Sequence, residues 1–261
     1  IGAGVPGPLD LQKGIILEAP NLGWKNINLQ DFLTKRFQCP ALVCNDVDAG
    51  VFGEYISGAG QGARCVLGVF PGTGIGGGCV YEGRSFRGSR STCMEVGFLQ
   101  MSTAGAAAGV GPVGTLEGIA SRLAISAEAA KAVFRGQAPK LKELAGTDLG
   151  KIRSSSLAKS IEMGDKVIEV IVRRAAEEVG RGIGSLINIL APDIVVLGGG
   201  LVEAMPKLYL ESVKEGVRRN VLPSLADCAK LKVSELGDYA GATGAAAWVR
   251  QETASSEVRK V

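Results

Sequence analysis

One carboxylate in the sequence stands where a catalytic base is expected. Asp46, in the stretch CNDVDAG, directly follows a buried apolar run that indicates a strand, and α/β proteins place their ligands at the carboxyl ends of strands. Asn45 beside it both donates and accepts hydrogen bonds, so the pair suits a polyhydroxylated substrate. The alternative is that Asn45 and Asp46 only cap the helix that follows.

No histidine occurs anywhere in the 261 residues. Its absence excludes Ser-His-Asp catalysis, Cys-His catalysis and every histidine metal site, so a base must be Asp, Glu, Lys or Tyr. Two further carboxylates, Glu95 in CMEVGF and Glu117 in GTLEGIAS, lie among apolar or small residues. Taken alone, each is better explained as a solvated or capping residue.

Glycines concentrate in GVFPGTGIGGGCVYEG, residues 68–83, where Gly72, Gly74 and Gly77 have the spacing of a dinucleotide-binding loop. That loop requires a helix after the glycines, whereas CVYEG alternates like a strand. The stretch therefore predicts a β-hairpin, whose backbone N–H groups can surround an anion such as the phosphate chain of ATP. A tight hairpin without a ligand is the alternative.

A second glycine run, Gly198 to Gly200, follows the strand-like DIVVL and precedes a helical pattern. This strand–glycine–helix order makes it a candidate nucleotide-contacting loop, although three glycines alone are a weak motif. Strands and helices alternate along the chain, and a long helix is predicted to stop at Ala191-Pro192. Together with the hairpin, this alternation predicts an α/β protein with mixed sheets.

The composition, with 46% hydrophobic and 21% charged residues, predicts a soluble globular protein of one large or two ordinary domains. The net charge is +3, and the densest basic stretch, KEGVRRN, indicates a solvated helix face rather than a nucleic-acid-binding surface. Six cysteines without C-x-x-C spacing indicate free thiols in a reducing compartment, which predicts a cytoplasmic location. Neither a transmembrane run nor a signal peptide is recognisable.

Eight motifs occur in the order found in one family of bacterial sugar kinases: GVPGPLD, EAPNLGW, NDVDAGVFGE, GTGIGGG, MEVGF, TLEGIAS, PDIVVLGGG and GDYAGATGAA. Over nearly the whole chain the sequence resembles the ROK family (repressors, open reading frames and kinases), and its glucokinases most closely. The resemblance implies a two-domain actin- and hexokinase-like (ribonuclease H-like) fold. The N-terminal α/β domain would be residues 1–62, joined by a C-terminal helix at 240–261, and the C-terminal α/β domain residues 63–239.

The resemblance also implies a role for each motif. Asp46 would be the general base of an ATP-dependent hexose kinase that acts with Mg²⁺ on the 6-hydroxyl of glucose or a related hexose. The implied sugar ligands are Asn21, Asn45, Asp46, Glu95 and Glu117, and the implied ATP ligands are Gly72, Thr73, Gly74, Gly76, Gly198, Gly199 and Gly200. A sugar-responsive transcriptional repressor and a non-catalytic sugar-binding protein are the alternatives. The expected assembly is a homodimer or a larger homo-oligomer.

The sequence departs from the family pattern in two places. The family begins with an Asp-x-Gly-Gly-Thr phosphate loop, and none precedes Ile1, so we expect a truncated N-terminal part that lacks half of the phosphate-binding residues. The family usually has a zinc site of one His and three Cys, whose positions here are Phe98, Ala108, Val110 and Thr115. The loss of all four ligands together predicts a protein without structural zinc.

Overall fold

A computed structural model describes residues 1–19, 22–88, 94–103 and 111–258, with side chains up to residue 254. Two small sheets form from the N-terminal residues. Strand β1 (Gly2–Val5) pairs in parallel with β5 (Leu42–Asn45). The other sheet is antiparallel and consists of β2 (Leu9–Asp10), β3 (Ile15–Ala19) and β4 (Trp24–Asn28).

The large sheet has five strands in the order β10-β9-β6-β7-β8. They are β6 (Cys65–Pro71), β7 (Ile75–Tyr81), β8 (Arg84–Ser85), β9 (Ile194–Leu197) and β10 (Lys230–Val233). Strands β6, β9 and β10 are parallel, while β7 runs antiparallel to β6 and to β8. The predicted hairpin and the predicted mixed sheet are therefore confirmed.

The helices of the described ranges are α1 (Leu29–Phe37), α2 (Asp46–Ser57), α3 (Leu116–Ala120), α4 (Arg122–Phe134), α5 (Pro139–Ala145), α6 (Ser154–Glu162), α7 (Lys166–Leu190), α8 (Gly200–Ala204), α9 (Pro206–Asn220) and α10 (Ala240–Val258). None of these helices has the length and apolar character that a membrane crossing requires. The sequence predicts one helix where α8 and α9 lie. The helix is interrupted at Met205 because Pro206 has no N–H to continue the hydrogen bonding.

Both faces of the large sheet are covered by helices. Alternate residues of a strand point to opposite faces, so the residues of β6 divide between two core clusters. Leu67 and Val69 of β6 belong to the larger core cluster, together with residues of α3 to α9. Val66 belongs to a second cluster on the other face, which α2 and α10 complete with Val51 and Trp248. Helix α10 packs against α2 and β1, and the division into domains at residues 62 and 63 stays a prediction.

Candidate active site

Asp46 lies at the carboxyl end of β5 and is the first residue of α2. The side-chain oxygen of Asn45 caps this helix by accepting hydrogen bonds from the N–H groups of Val47, at 2.9 Å, and Asp48, at 3.2 Å. The exposed carboxylate of Asp46 accepts a third, from Val47 at 3.0 Å. Capping engages the oxygen of Asn45, so any hydrogen bond from this side chain to a ligand would come from its amide group.

The turn between β6 and β7 consists of Gly72, Thr73 and Gly74. The N–H of Gly72 donates to the carbonyl of Gly74 at 2.8 Å, whereas the N–H groups of Thr73 and Gly74 have no partner among the described residues. The nearest atom to a Cβ built on Gly72 would be 4.0 Å away, so the space beside it is open. An anion can therefore approach the hairpin at this turn.

The glycines that flank the turn allow close helix packing. A Cβ on Gly76 would lie 2.5 Å from Cγ2 of Val47, and one on Gly78 would lie 3.0 Å from Cγ2 of Val51. A Cβ on Gly68 would overlap Val51 as well. The number of glycines is thus explained in part by the approach of α2 to the hairpin. Gly76, which the family resemblance makes an ATP ligand, faces Val47 rather than open space.

Glu117 connects helix α3 with the hairpin. Its Oε2 accepts a hydrogen bond from the N–H of Ile75, the residue after the turn, at 2.7 Å. Nearby, the N–H of Arg122 donates to the carbonyl of Gly72 at 2.9 Å. Helix α3 is itself capped by the hydroxyl of Thr115, which accepts from Gly118. The structure therefore brings a predicted sugar ligand into contact with the predicted phosphate-binding turn.

Two carboxylates of the candidate site, Glu95 and Asp48, have a raised pKa. Partial burial raises the pKa of Glu95, and the negative charge of Glu117 raises it further. Burial also raises the pKa of Asp48 to about 6, with Arg87 opposing the shift and the charges of Glu95 and Asp46 adding to it. Asp48 was not predicted as a site residue, although its place in the first turn of α2, two residues after Asp46, was a usable signal.

A cavity of about 780 Å³ opens beside the turn, within the size range of small-molecule sites. The first residues of α4, the segment before α6 and helix α8 form its wall, with Arg122, Ser154 and Gly200 among the lining residues. Arg122 links the cavity to the turn, because its Nη2 donates to Oγ1 of Thr73 at 2.9 Å. One arginine side chain is therefore shared by the turn and the cavity wall.

The second glycine run connects β9 with this cavity. Gly198 donates its N–H to the carbonyl of Val69 at 3.3 Å. Gly199 has φ +83°, and a Cβ there would come within 2.8 Å of the carbonyl oxygen of Pro71, so glycine is needed for backbone conformation and for space. Gly200 lines the cavity. Of the three glycines in this run, all predicted nucleotide ligands, Gly198 and Gly199 pack against β6 and Gly200 reaches the cavity.

Some predicted positions lie outside the described residues, namely Asn21 and, at the former zinc-ligand positions, Ala108 and Val110. Of the other two zinc positions, Phe98 is 43% exposed and Thr115 is buried. In the described part of the chain, no cluster of three or more His, Cys, Asp or Glu side chains is placed to hold a metal ion. The absence of zinc stays a prediction.

The sheets define an α/β protein with mixed sheets, and the candidate site lies at the ends of its strands. The chain belongs to the ROK family, whose model matches residues 1–252. It is 32% identical to a glucokinase of Halalkalibacterium halodurans, over 98% of the chain and 78% of that protein. A xylose repressor of Caldicellulosiruptor bescii is 28% identical over 95% of the chain and 62% of the repressor.

Two solved structures show the same fold. A ROK hexokinase from Thermus thermophilus matches with a TM-score of 0.79 and 33% identity, over 94% of this chain and 76% of that one. A ROK family glucokinase from Streptomyces griseus, in complex with glucose and AMPPNP, matches with a TM-score of 0.84 and 30% identity, over 96% and 81%. The predicted hexokinase-like fold class is confirmed.

Proposed function

We propose that this protein is a kinase that transfers the γ-phosphate of ATP to a hexose, with the 6-hydroxyl of glucose as the first candidate acceptor. One observation carries the proposal: Glu117, whose charge also acts on Glu95, bonds to the residue that follows the Gly72–Gly74 turn. Arg122 connects the same turn to a cavity of about 780 Å³. The similarity to glucokinases supports the proposal, as does the glucose and AMPPNP complex of the Streptomyces griseus relative.

Asp46 acts as the general base in this proposal. Its carboxylate takes the proton of the sugar hydroxyl while the hydroxyl oxygen bonds to the γ-phosphorus and the bond to the β-phosphate oxygen breaks. The products are a sugar phosphate and ADP. Phosphoryl transfer passes through a loose transition state, so positioning and electrostatics outweigh basicity. The position of Asp46 at the start of a capped helix serves that positioning.

The sugar is held by hydrogen bonds to its hydroxyls. One oxygen of Glu117 is engaged by Ile75, which leaves its other oxygen for a sugar hydroxyl. Glu95 provides a second acceptor. The amide group of Asn45 provides a donor, because its oxygen caps α2. This mixture of acceptors and a donor suits a polyol better than an apolar substrate.

The residues around the turn fit a nucleotide. The N–H groups of Thr73 and Gly74, which have no partner in the described part of the chain, favour an anion site. The cavity lined by Gly200 has room for a nucleoside. When bound, Mg²⁺ would neutralise part of the phosphate charge. Mg²⁺ is generally held by substrate phosphates, waters and one or two carboxylates.

The proposal is tested by coupled measurement of ADP formation with glucose, mannose, fructose and N-acetylated sugars. We expect sugar-dependent turnover by a wild-type chain that carries the family's Asp-x-Gly-Gly-Thr phosphate loop, and little by residues 1–261 without it. Asp46→Asn keeps the shape but accepts no proton, so we expect kcat to fall by about 10²–10⁴-fold while sugar affinity is kept. Asp227→Asn, at an exposed aspartate, is the matched control. Turnover by Asp46→Asn close to that of the wild type would make Asp46 a helix cap only.

A sugar-responsive repressor is the second candidate, because xylose repressors are also similar to this chain. A repressor, like a non-catalytic sugar-binding protein, would bind a sugar without consuming ATP. Calorimetric titration with the same sugars, run beside the turnover assay, separates these functions. Sugar binding without ADP formation on any sugar would favour them over the kinase.

A further inference from the structure

We infer that Arg122 binds a phosphate group of the nucleotide and holds the hydroxyl of Thr73 in position to bind the same phosphate chain. The inference rests on the proposed function and deepens it. It adds a cationic ligand that no motif of the sequence indicated. It also assigns Thr73, as opposed to its glycine neighbours, a side-chain role.

Three hydrogen bonds fix Arg122 between the turn and the cavity. Its backbone N–H donates to the carbonyl of Gly72 at 2.9 Å. Its Nη2 donates to Oγ1 of Thr73 at 2.9 Å, and its Nη1 donates to the carbonyl of Ile152 at 3.4 Å. The same residue lines the cavity that Gly200 borders. A phosphate chain that runs from the cavity to the turn would pass this guanidinium.

Among the residues that the structure describes, Arg122 has no counter-charge within ion-pair distance. Among the described arginines four are half-buried. Three of them form ion pairs with glutamates at 2.9–3.7 Å: Arg87 with Glu252, Arg173 with Glu169 and Arg181 with Glu178. Arg122 contacts only neutral oxygens, and no carboxylate of the described residues lies within ion-pair distance of it. A partly buried cation that faces a cavity and has no carboxylate partner favours an anionic ligand.

The donors at this position match a phosphate. A guanidinium carries five N–H donors in a planar fork that suits phosphate oxygens, and the two side-chain bonds of Arg122 use two of them. Arginine has no acceptor, so Oγ1 of Thr73 is the acceptor in their bond, and the hydroxyl hydrogen is available for a phosphate oxygen. Two arginines and one glutamate are the charged side chains of the cavity wall, so the wall is positive overall.

The test is calorimetric titration of the purified protein with ATP, adenosine and inorganic tripolyphosphate. We expect Arg122→Gln to weaken ATP and tripolyphosphate binding by about 10–100-fold, the range of a charge-assisted hydrogen-bonding contact, and to leave adenosine binding unchanged. Thr73→Val should weaken the same two ligands to a smaller extent. Arg135→Gln, which removes an exposed charge from the other end of α4, should bind like the wild type.

Each outcome decides the inference. Unchanged binding of ATP and tripolyphosphate by Arg122→Gln overturns it and leaves the kinase proposal intact. An equal loss of adenosine and ATP binding also overturns it, because Arg122 would then act only by supporting Gly72 and Ile152. Arg122-dependent tripolyphosphate binding by a protein that phosphorylates no sugar supports the inference and refutes the kinase. A wild type that binds neither ATP nor tripolyphosphate overturns both.

Discussion

Oε2 of Glu117 accepts the backbone N–H of Ile75 at 2.7 Å, which ties the start of α3 to the end of the glycine turn. The same carboxylate occupies the space where a Cβ on Gly74 would lie. A proposed sugar ligand thus supports the proposed phosphate-binding turn directly. Changes at Glu117 are therefore expected to affect two substrates through separable contacts.

We expect Glu117→Ala to raise KM for ATP and for the sugar, because the N–H of Ile75 loses its acceptor and the turn loses its support. Glu117→Gln keeps an oxygen for Ile75, so only KM for the sugar should rise. The loss of one hydrogen bond to a charged group corresponds to about 10-fold or more in each affected constant. Initial rates with each substrate varied in turn measure the difference. Equal KM values for ATP in the two variants would contradict this prediction.

Asp48 is expected to make the protein less stable as the pH rises. Burial raises its pKa from 3.8 to about 6, so between these values the native state keeps a proton that the unfolded state has lost. The free energy of unfolding then falls with rising pH across this window, by at most about 3 kcal/mol at roughly 1.4 kcal/mol per pKa unit.

Asp48→Asn removes this titration. We expect the variant to be more stable than the wild type above pH 6, and the difference to vanish near pH 4, in urea unfolding followed by circular dichroism. Asp227→Asn, at the surface, should follow the wild-type curve. If Asp48→Asn is more stable than the wild type by the same amount at both pH values, the cause is packing and not ionisation.

Glu54 is expected to be the most costly carboxylate to remove. It is fully buried and accepts hydrogen bonds from the N–H groups of Ala59, Glu235 and Leu236 at 2.8–3.2 Å, and from the hydroxyl of Ser234. Glu54→Ala leaves these four donors without an acceptor at about 1–3 kcal/mol each, so we expect a loss of at least about 4 kcal/mol in unfolding free energy. Glu128→Ala, at an exposed residue, should change it little.

We expect the purified protein to contain no stoichiometric zinc. Phe98 has no group that binds zinc, and the hydroxyl of Thr115 caps α3, whereas structural zinc needs four Cys or His ligands. Elemental analysis by mass spectrometry, before and after incubation with zinc and a desalting step, measures this. One zinc per chain after desalting would refute the prediction.

Local sequence patterns predicted the elements that depend on neighbouring residues. The hairpin followed from the strand-like residues after the glycines, and the end of α7 at Leu190 followed from Ala191-Pro192. The break between α8 and α9 was missed although Pro206 marked it. The apolar pattern continues across the break, whereas Pro206 removes one N–H from the helical hydrogen bonding.

Contacts between distant segments could not be predicted from such patterns. Arg122 and Thr73 are 49 residues apart, and Glu54 and Leu236 are 182 residues apart. No local periodicity encodes which side chains meet across such separations. The same limit applies to the glycines of the hairpin, since the sequence gives their number but not which of them faces a helix and which faces open space.

The packing of Val47 and Val51 against Gly68, Gly76 and Gly78 has a consequence for how catalysis is organised. Helix α2 carries Asp46, the proposed base, and the hairpin carries the proposed phosphate-binding turn. Because close-packed interiors transmit displacements rather than absorb them, we expect Asp46 and the turn to move together. The distance between them would be set when the chain folds, and sugar binding would not change it. Preference for one sugar over another would then reside in the groups that surround its hydroxyls, with the reacting geometry common to all of them.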